Sequence, residues 1–358
     1  MTSIANPLRV AVLGCGRMGL ETLPQVRSNL PACWLPLSHA EAVVAHPRLE
    51  LVGLCDPYPE PRQHAAALYP NLPIHEDPGR LLRELQPDLV CIATRTPERT
   101  GLIELCLGHG VRLLHLEKPL CRSVAELQHL DNILMESGAH CTFGALRRYL
   151  APYRYAQALV QSGQIGALQE VHVALGFGRL CWTQIHAIDL IAACLAPAAV
   201  TEVRALADPT SYSASGALLD GDPLLWFARF VTVDGLQGLI GTSGGYDIFL
   251  NGDAGILAVL NDGQEIVLRQ PAYTGSPYWT NKQDLIIPEA ALSGTAAALD
   301  RLVHTNPEAA AADTHAMLKS QSLLLACAQS ILENGKPIDP NDLNPELFVT
   351  GRLGNLFA

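Results

Sequence analysis

Six residues near the start of the chain have the types and spacing that bind a dinucleotide. They are Gly14-Cys15-Gly16-Arg17-Met18-Gly19, which fit G-x-G-x-x-G and follow the apolar run Leu8–Leu13. Between a strand and a helix, the three glycines allow in turn a tight turn, close approach of a pyrophosphate and packing of the helix on the sheet. The start of that helix, with Arg17 and Met18, would then face the phosphates.

A carboxylate at the end of the next apolar run bears on which cofactor binds. Asp56 follows Leu49–Cys55, where it would accept hydrogen bonds from the adenosine ribose and repel a 2′-phosphate. We therefore expect NAD rather than NADP. Asp56 lies 37 residues beyond Gly19, whereas the plain motif places the acidic residue about 20 residues on. The extra length predicts an inserted loop near Ser28–Ala45.

A lysine that suits proton transfer follows a later apolar run. Glu117-Lys118-Pro119 comes directly after Val111–Leu116, at the strand end where open α/β sheets bind ligands. A lysine there can exchange a proton with a substrate oxygen if burial and neighbouring charge lower its pKa. On its own, such a tripeptide is more often a charged turn than a site.

Two further groups of polar residues are candidates for substrate contacts. Trp182, His186 and Asp189 have the spacing of one helical face. The alternatives are a core histidine, a tryptophan in core packing, and an Asp189 paired with Arg147 or Arg148. Positive charge also gathers in Arg147-Arg148-Tyr149 and at Arg154. These arginines would bind a carboxylate or phosphate of the substrate, or pair with surface acids.

The elements around these residues predict two domains. In the first, the runs Leu8–Leu13, Leu49–Cys55, Asp88–Thr94 and Val111–Leu116 alternate with helix-like stretches such as Pro78–Leu85 and Pro97–Gly108. This alternation is typical of a parallel, doubly wound α/β sheet, the Rossmann arrangement. We expect the first domain, which would bind NAD, to cover residues 1–146.

After residue 146 the pattern changes to strands joined by hairpin signals. The predicted strands are punctuated by Asp234-Gly235, Asn251-Gly252 and Asp262-Gly263, which favour hairpin turns. Residues 147–358 are therefore expected to form an α+β domain with a large, mostly antiparallel sheet. Its predicted strands are Leu168–Leu175, Leu224–Val233, Leu236–Thr242, Tyr246–Leu250, Ile256–Leu260 and Ile266–Arg269, and its predicted late helix is Pro307–Glu333.

Composition excludes some partners. The net charge is −11 and no basic run occurs, which argues against nucleic acid because phosphate backbones are bound through clustered Lys and Arg. No apolar run approaches the length that spans a bilayer, and no signal peptide is indicated. The ten cysteines form no C-x-x-C pair, so we expect free thiols in a reducing cytoplasm and no metal site.

In combination these motifs resemble one known family. Gly14–Gly19, Asp56, Ala93-Thr94 and Glu117-Lys118-Pro119 occur in an order similar to the glucose–fructose oxidoreductase/inositol dehydrogenase (Gfo/Idh/MocA) family. The similarity continues through Arg147-Arg148-Tyr149, Ser162-Gly163-Gln164-Ile165-Gly166 and His186-Ala187-Ile188-Asp189. It covers nearly the whole chain.

The resemblance implies roles for single residues. Thr94, Glu117 and Lys118 would contact the cofactor, and Lys118, before a cis Pro119, would also relay the substrate proton. His186 would be the second acid/base group, and Asp189, Arg148, Tyr149 and Trp182 would contact the substrate. Many polyol-oxidising members have an aspartate four residues before the histidine, where this chain has Trp182. Trp182 could instead stack on a sugar ring.

The implied activity is oxidation of a hydroxyl group on a sugar, sugar derivative or cyclitol with NAD, or the reverse reduction. Lys118 would carry the proton, and a homodimer or homotetramer is expected. Two alternatives stay open. One is a glycoside-cleaving enzyme that recycles tightly held NAD through oxidation and elimination. The other is a regulatory protein that keeps the nucleotide-binding fold without the chemistry.

Overall fold

The first half of the chain forms a parallel sheet in a computed structural model that describes residues 6–273, 275–276, 278–288, 292–304 and 306–351. Apolar runs that are buried on both faces make the central strands, as a doubly wound sheet requires. Every neighbouring pair is parallel, and the order β3-β2-β1-β4-β5-β6 is that of the Rossmann fold. The strands are β1 (Leu8–Leu13), β2 (Leu49–Cys55), β3 (Ile74–His75), β4 (Leu89–Ile92), β5 (Leu113–Leu116) and β6 (His140–Phe143).

Helices connect these strands, and local signals set several of their ends. Asp77 caps the fourth helix by accepting from Arg80 N, with Pro78 in the first turn. Ser123 caps the sixth in the same way, and Gly138 ends it in the left-handed region. The helices are α1 (Pro24–Arg27), α2 (His39–Ala45), α3 (Pro59–Leu68), α4 (Pro78–Leu85), α5 (Thr96–Gly108) and α6 (Val124–Ser137).

The helix that follows the glycine motif is interrupted. A regular helix would place the amides of residues 22 and 23 on the carbonyls of Met18 and Gly19. Here those carbonyls accept instead from His39 N at 2.7 Å and Ala40 N at 3.0 Å. His39 therefore takes the helical position of residue 22. Residues 21–37, which we call the inserted segment, leave the helix and return to it.

The inserted segment explains the long spacing to the acidic residue. Without it, Gly19 and Asp56 would be about 20 residues apart, as the plain motif requires. The expected bounds of the insertion, Ser28–Ala45, are wrong. The extra residues begin and end earlier, because α2 continues the nucleotide-binding helix.

The second half of the chain forms a nine-stranded sheet that is mostly antiparallel. The exception is the parallel pair of β7 and β13. The predicted turns at Asp234-Gly235 and Asp262-Gly263 join neighbouring antiparallel strands. The strands are β7 (Leu168–Ala174), β8 (Gly178–Arg179), β9 (Val200–Ala207), β12 (Leu224–Thr232), β13 (Gln237–Gly241), β14 (Asp247–Gly252), β15 (Ile256–Leu260), β16 (Glu265–Gln270) and β17 (Asn281–Leu285). A three-stranded sheet contains β10 (Tyr212–Ser215), β11 (Leu218–Gly221) and β18 (Phe348–Val349).

Four helices complete the second half, and two of them return to the first domain. They are α7 (Ala151–Gln161), α8 (Ile185–Leu195), α9 (Gly294–His304) and α10 (Pro307–Leu332). Helix α10 packs against β6 and α6 on one side and against β9 and α8 on the other, and α9 packs on α2. The boundary at residue 146 stays a prediction. Residues 1–5 and 352–358 of the expected domains lie outside the described residues.

Candidate active site

A cavity of about 750 Å³ opens between the two domains at the carboxyl ends of β4 and β5. The first domain and the inserted segment build one part of its wall, and the residues before and within α8 build another. The predicted site residues that line it are Arg17, Met18, Thr94, Glu117, Lys118, Trp182 and His186. The fold therefore brings the glycine turn, the lysine and the histidine to one space.

The glycine turn has the shape that a dinucleotide requires. Gly14 has a φ of +99°, and a Cβ there would lie 2.9 Å from the carbonyl carbon of Ala93. A Cβ on Gly19 would lie 1.8 Å from Gly14 O, so no larger residue fits either position. Arg17 and Met18 of this turn line the cavity, and backbone amides at the start of such a helix are donors that suit phosphate oxygens. These residues fit a bound pyrophosphate.

Asp56 lies next to this turn and holds it. Its Oδ2 accepts from Cys15 N at 2.8 Å, and its Oδ1 accepts from Tyr58 N at 2.9 Å. Each carboxylate oxygen keeps a further lone pair for a ribose hydroxyl. Asp56 is 7% exposed and stands outside the lining of the central cavity. Its position suits the adenosine end of a dinucleotide.

Lys118 lies at the floor of the cavity. Its Nζ donates to Trp182 O at 2.8 Å and stands 4.3 Å from the centroid of the Trp182 indole. The Lys118–Pro119 peptide is cis. Burial lowers the pKa of Lys118 to about 8, with Arg17 and Arg99 adding to the effect and Glu117 and Asp222 opposing it. At that pKa the amine and the ammonium are both populated near neutral pH, as a proton relay requires.

A group of buried polar side chains lies next to Lys118. Glu117 Oε1 lies 3.0 Å from His39 Nε2, and His115 Nδ1 lies 2.9 Å from Thr142 Oγ1. The two imidazoles meet edge to face with centroids 4.7 Å apart. Burial opposes ionisation of Glu117, but the hydrogen bond and charge of His39 and the charge of Lys118 lower its pKa to about 2. Glu117 is therefore a fixed negative charge beside the lysine.

The same group of side chains contains atoms of the kind that bind metal ions. His39, His115 and Glu117 offer one ligand atom each, and these atoms lie within 4.8 Å of one another. The 3.0 Å contact between His39 Nε2 and Glu117 Oε1 is a hydrogen bond, whereas His39 Nδ1 and His115 Nε2 are buried and have no partner among the described residues. The group is therefore two hydrogen-bonded pairs, His39–Glu117 and His115–Thr142, whose imidazoles meet edge to face.

His186 presents a neutral imidazole to the cavity. Burial, together with the charges of Lys118 and Arg147, holds its pKa well below the ordinary value. Its Nδ1 is buried and has no hydrogen-bond partner among the described residues. The side chain lines the cavity, where a neutral imidazole can donate or accept a hydrogen bond.

Trp182 does not share a regular helical face with His186. Residues Leu180–Gln184 form a π-helical turn, and α8 begins after it. Both side chains nevertheless line the cavity. The indole lies between two cations, with Arg17 5.6 Å and Lys118 4.3 Å from its centroid. The ring therefore holds Lys118 by a cation–π contact.

Asp222 is a site residue that the sequence did not single out. It is 3% exposed, lines the cavity and accepts from Cys181 N at 2.7 Å and Trp182 N at 3.2 Å. Its charge raises the pKa of Lys118. In the sequence it stands in Gly221-Asp222-Pro223, which reads as an ordinary turn. No local signal distinguishes it.

Asp189, Arg148 and Tyr149 do not reach the cavity, and their prediction as substrate contacts is corrected here. Arg148 makes a bidentate pair with Asp189, at 2.7 Å and 2.5 Å, and Ser320 Oγ donates to Asp189 Oδ1 at 2.9 Å. The Tyr149 hydroxyl accepts from Phe143 N at 3.1 Å. All three side chains are held inside the protein, since an unpaired buried charge is costly. The alternative of an Asp189–Arg148 pair is the one observed.

Arg147 is also paired, but at the edge of the cavity. It binds both carboxylate oxygens of Asp262 at 2.8 Å, and the Tyr153 hydroxyl donates to Asp262 Oδ1 at 2.7 Å. The guanidinium lies over Trp34 at 4.9 Å and over Tyr246 at 5.5 Å. Trp34 belongs to the inserted segment, so this stack joins that segment to the second domain. Because its charge is paired with Asp262, Arg147 lines the cavity without offering a site for an anion.

Comparison with known proteins agrees with this geometry. Residues 8–145 match the family model described as the oxidoreductase family with an NAD-binding Rossmann fold, GFO_IDH_MocA. The chain is 28% identical over 161 residues to the scyllo-inositol 2-dehydrogenase (NAD(+)) of Bacillus subtilis strain 168. That alignment covers 45% of this chain and 42% of the relative. The chain thus matches less than half the length of this curated relative.

Solved structures share the fold over nearly the whole chain. An inositol dehydrogenase homolog from Azotobacter vinelandii, complexed with NADH and myo-inositol, matches with a TM-score of 0.69 at 16% identity and covers 94% of this chain and 98% of its own. A 3-ketoreductase from Actinomadura kijaniata, in complex with TDP-benzene and NADP, matches with a TM-score of 0.65 at 14% identity and covers 91% and 98%.

The glycine turn and the sheet order, together with these matches, define a Rossmann fold over the first half of the chain. Residues 8–145 are thus similar to the NAD-binding domain of the Gfo/Idh/MocA family, in agreement with the resemblance seen in the sequence. Within the part of the chain that the structure describes, every helix is too short or too polar to cross a bilayer.

Proposed function

We propose that this protein is an NAD(H)-dependent dehydrogenase that oxidises a hydroxyl carbon of a sugar, sugar derivative or cyclitol, or reduces the corresponding ketone. The observation that carries the proposal is the position of Lys118. Its ammonium group, with a pKa of about 8, lies on the floor of the same cavity that the glycine turn borders. A proton relay beside a nicotinamide site is what this reaction requires.

The residues divide the work of the reaction as follows. When bound, the nicotinamide supplies C4 as acceptor or donor of the hydride. In oxidation, the neutral amine of Lys118 takes the hydroxyl proton while the hydride leaves the carbon, and the ammonium returns a proton in reduction. Glu117 keeps a negative charge beside the ammonium. His186, held neutral, forms a hydrogen bond with a second substrate oxygen.

NAD is the proposed cofactor, and the carboxylate of Asp56 is the reason. It lies beside the glycine turn and is tied to it through Cys15 N. A negative charge there disfavours the 2′-phosphate of NADP.

A substrate panel with a lysine variant tests the function. Polyols, aldoses and nucleotide sugars are screened for NADH absorbance with NAD and with NADP. We expect turnover with NAD, and Lys118→Ala should lower kcat by at least about 100-fold with little change in NAD affinity. Lys336→Ala is the control, because its side chain is 72% exposed. Full activity in Lys118→Ala would remove this lysine from the mechanism, and glycoside cleavage without net NADH would favour the oxidation–elimination alternative.

We also propose a homodimer or homotetramer that assembles through the large sheet in the cytoplasm. Leu206, Trp226 and Phe227 on β9 and β12 are 45%, 47% and 38% exposed, and a cluster of large apolar side chains on a sheet face suits a subunit interface. Light scattering should give two or four times the chain mass, and Trp226→Glu should lower it. Eight of the ten cysteines are buried thiols, which supports a reducing compartment.

A further inference from the structure

The inserted segment gives the cavity an apolar wall. Val26, Leu30, Pro31 and Leu37 line the cavity and are partly exposed, so they contact open space as well as protein. Asn29 adds an amide to the same lining. A wall of this composition favours burial of an apolar group and offers few hydrogen bonds to a hydroxylated ring.

The far end of the segment is fixed on the second domain. Ser293 Oγ donates to Pro36 O at 2.8 Å, and Thr295 Oγ1 donates to Leu37 O at 2.7 Å. Trp34 is buried against Arg147, and its indole N–H points to Asp262 O at 3.5 Å. These contacts hold the end of the segment that includes Leu37 in place, which limits the ordering cost of binding a ligand against it.

The wall adjoins the part of the cavity where the substrate is expected. The pyrophosphate site is set by Gly14–Gly19, and proton transfer by Lys118. The inserted segment instead reaches to Arg147 and Asp262 of the second domain. That domain is also the one from which His186 and Trp182 enter the cavity. We therefore infer that a ligand group in contact with Val26 and Leu30 belongs to the substrate and not to the cofactor.

We propose that the inserted segment is a subsite for an apolar group carried by the substrate, the alkyl or aryl aglycone of a glycoside. The inference rests on the proposed function, because it places the carbohydrate ring at Lys118 and the aglycone against residues 21–37. An aglycone needs no hydrogen-bond donor from its wall. Its burial against the aliphatic side chains contributes in proportion to the area removed from water.

Paired substrates and a matched pair of variants test the subsite. NADH formation is measured with D-glucose and D-galactose and with their phenyl β-glycosides. The variant Val26→Asn puts a polar group in the wall. Val44→Asn makes the same change at a valine that is 62% exposed on α2, outside the cavity lining. Thermal melting of both variants confirms that they fold.

We expect the wild type to prefer the phenyl glycosides in kcat/KM by roughly 10-fold or more, the scale at which hydrophobic pockets discriminate. Val26→Asn should lose that preference while its rate on the free sugars is kept, and Val44→Asn should keep both. A wild type that prefers the free sugars would overturn the proposal. So would equal losses on both substrate types, or a change in Val26→Asn confined to the KM for NAD.

A binding measurement separates this inference from the proposed function. If neither the sugars nor their glycosides are oxidised, the proposed dehydrogenase activity on these sugars fails. Phenyl β-D-glucopyranoside is then titrated into the protein with NAD present, by calorimetry. Binding that Val26→Asn weakens by about 10-fold, with Val44→Asn unchanged, supports the subsite. No binding, or equal binding by all three proteins, overturns it.

Discussion

Lys118 is positioned by Trp182, which lies four residues before His186, where the resemblance implies an aspartate. The Trp182 carbonyl accepts from Nζ and its indole lies 4.3 Å from the ammonium, while the carboxylate is supplied from elsewhere in the chain by Asp222. That carboxylate holds the amides of Cys181 and Trp182. One acidic residue thus fixes the turn that carries the lysine's partner and also contributes charge to the lysine.

The charge of Asp222 should appear in the pH dependence of the reaction. Oxidation needs the neutral amine of Lys118, so kcat/KM for oxidation should rise with pH through about 8. Because Asp222 raises the pKa of Lys118, Asp222→Asn should move that rise to lower pH, by about one unit. Asn keeps an oxygen for the Cys181 amide. Asp220→Asn, exposed on β11, is the control, and an unmoved profile in Asp222→Asn would contradict the assignment.

The sequence predicts which side chains reach the cavity better than it predicts which residues those side chains contact. Lys118, His186 and Trp182 reach the cavity as predicted, because strand ends and helix starts converge there. Asp189 does not, because helical spacing defines a face and not what that face meets. The bidentate contact with Arg148 is a tertiary feature across 41 positions of sequence, and no local pattern encodes it.

One hydroxyl group connects the two ends of the inserted segment, which we call its neck. Thr22 Oγ1 donates to Glu41 Oε2 at 2.6 Å and accepts from Leu37 N and from Ser38 N, each at 3.1 Å. Thr22 is 4% exposed, so water cannot replace these bonds. This threonine therefore joins the two ends of the segment.

Thr22→Val should test the neck. The valine keeps the shape but leaves the amides of Leu37 and Ser38 without their acceptor and removes one of the donors to Glu41. This change should lower the free energy of unfolding by about 1–3 kcal/mol. Urea denaturation followed by circular dichroism measures it. Thr201→Val, on the exposed side of β9, should change stability by less than about 0.5 kcal/mol. Equal stability of the two variants would show that the neck is held in another way.

Several elements with a strong local signal have the predicted ends, whereas the strands predicted at Asp88–Thr94 and Val111–Leu116 are shorter in the structure, at Leu89–Ile92 and Leu113–Leu116. Leu8–Leu13, Leu49–Cys55, Ile256–Leu260 and Pro78–Leu85 have the predicted ends, since apolar runs or proline bound them. The strand Val200–Ala207 was not predicted. The break within the nucleotide-binding helix was misplaced, because the hydrogen bonds that rejoin it link residues far apart in sequence.

Across the whole molecule, a shared interior contains titratable groups that are uncharged or paired. One apolar cluster includes residues of both domains, and His115, on strand β5 of the first sheet, is fully buried. Burial and the neighbouring His39 lower the pKa of His115 to about 3. In the unfolded chain the same imidazole would bind a proton near its ordinary pKa.

Acid should therefore destabilise the protein before its carboxylates titrate. Lowering the pH lowers the free energy of unfolding wherever the unfolded state binds more protons than the folded state. For His115 that pH range runs from about 6.5, its ordinary pKa, down to about 3, its pKa in the folded protein. Between pH 6.5 and 5 this group should remove about 2 kcal/mol of unfolding free energy. His115→Leu should flatten the slope by about one proton, and His109→Leu, an exposed site, should not. Identical slopes would place the acid sensitivity elsewhere.

The break in the nucleotide-binding helix suggests how this protein could be altered. Since His39 takes the place of residue 22, a direct peptide link from Leu20 to Ser38 would restore an uninterrupted helix without disturbing the strands on either side. Residues 21–37 thus form a segment whose sequence could be exchanged. Replacing them with another sequence of suitable length would offer a way to change which molecules are accepted while Lys118 and the glycine turn are left in place.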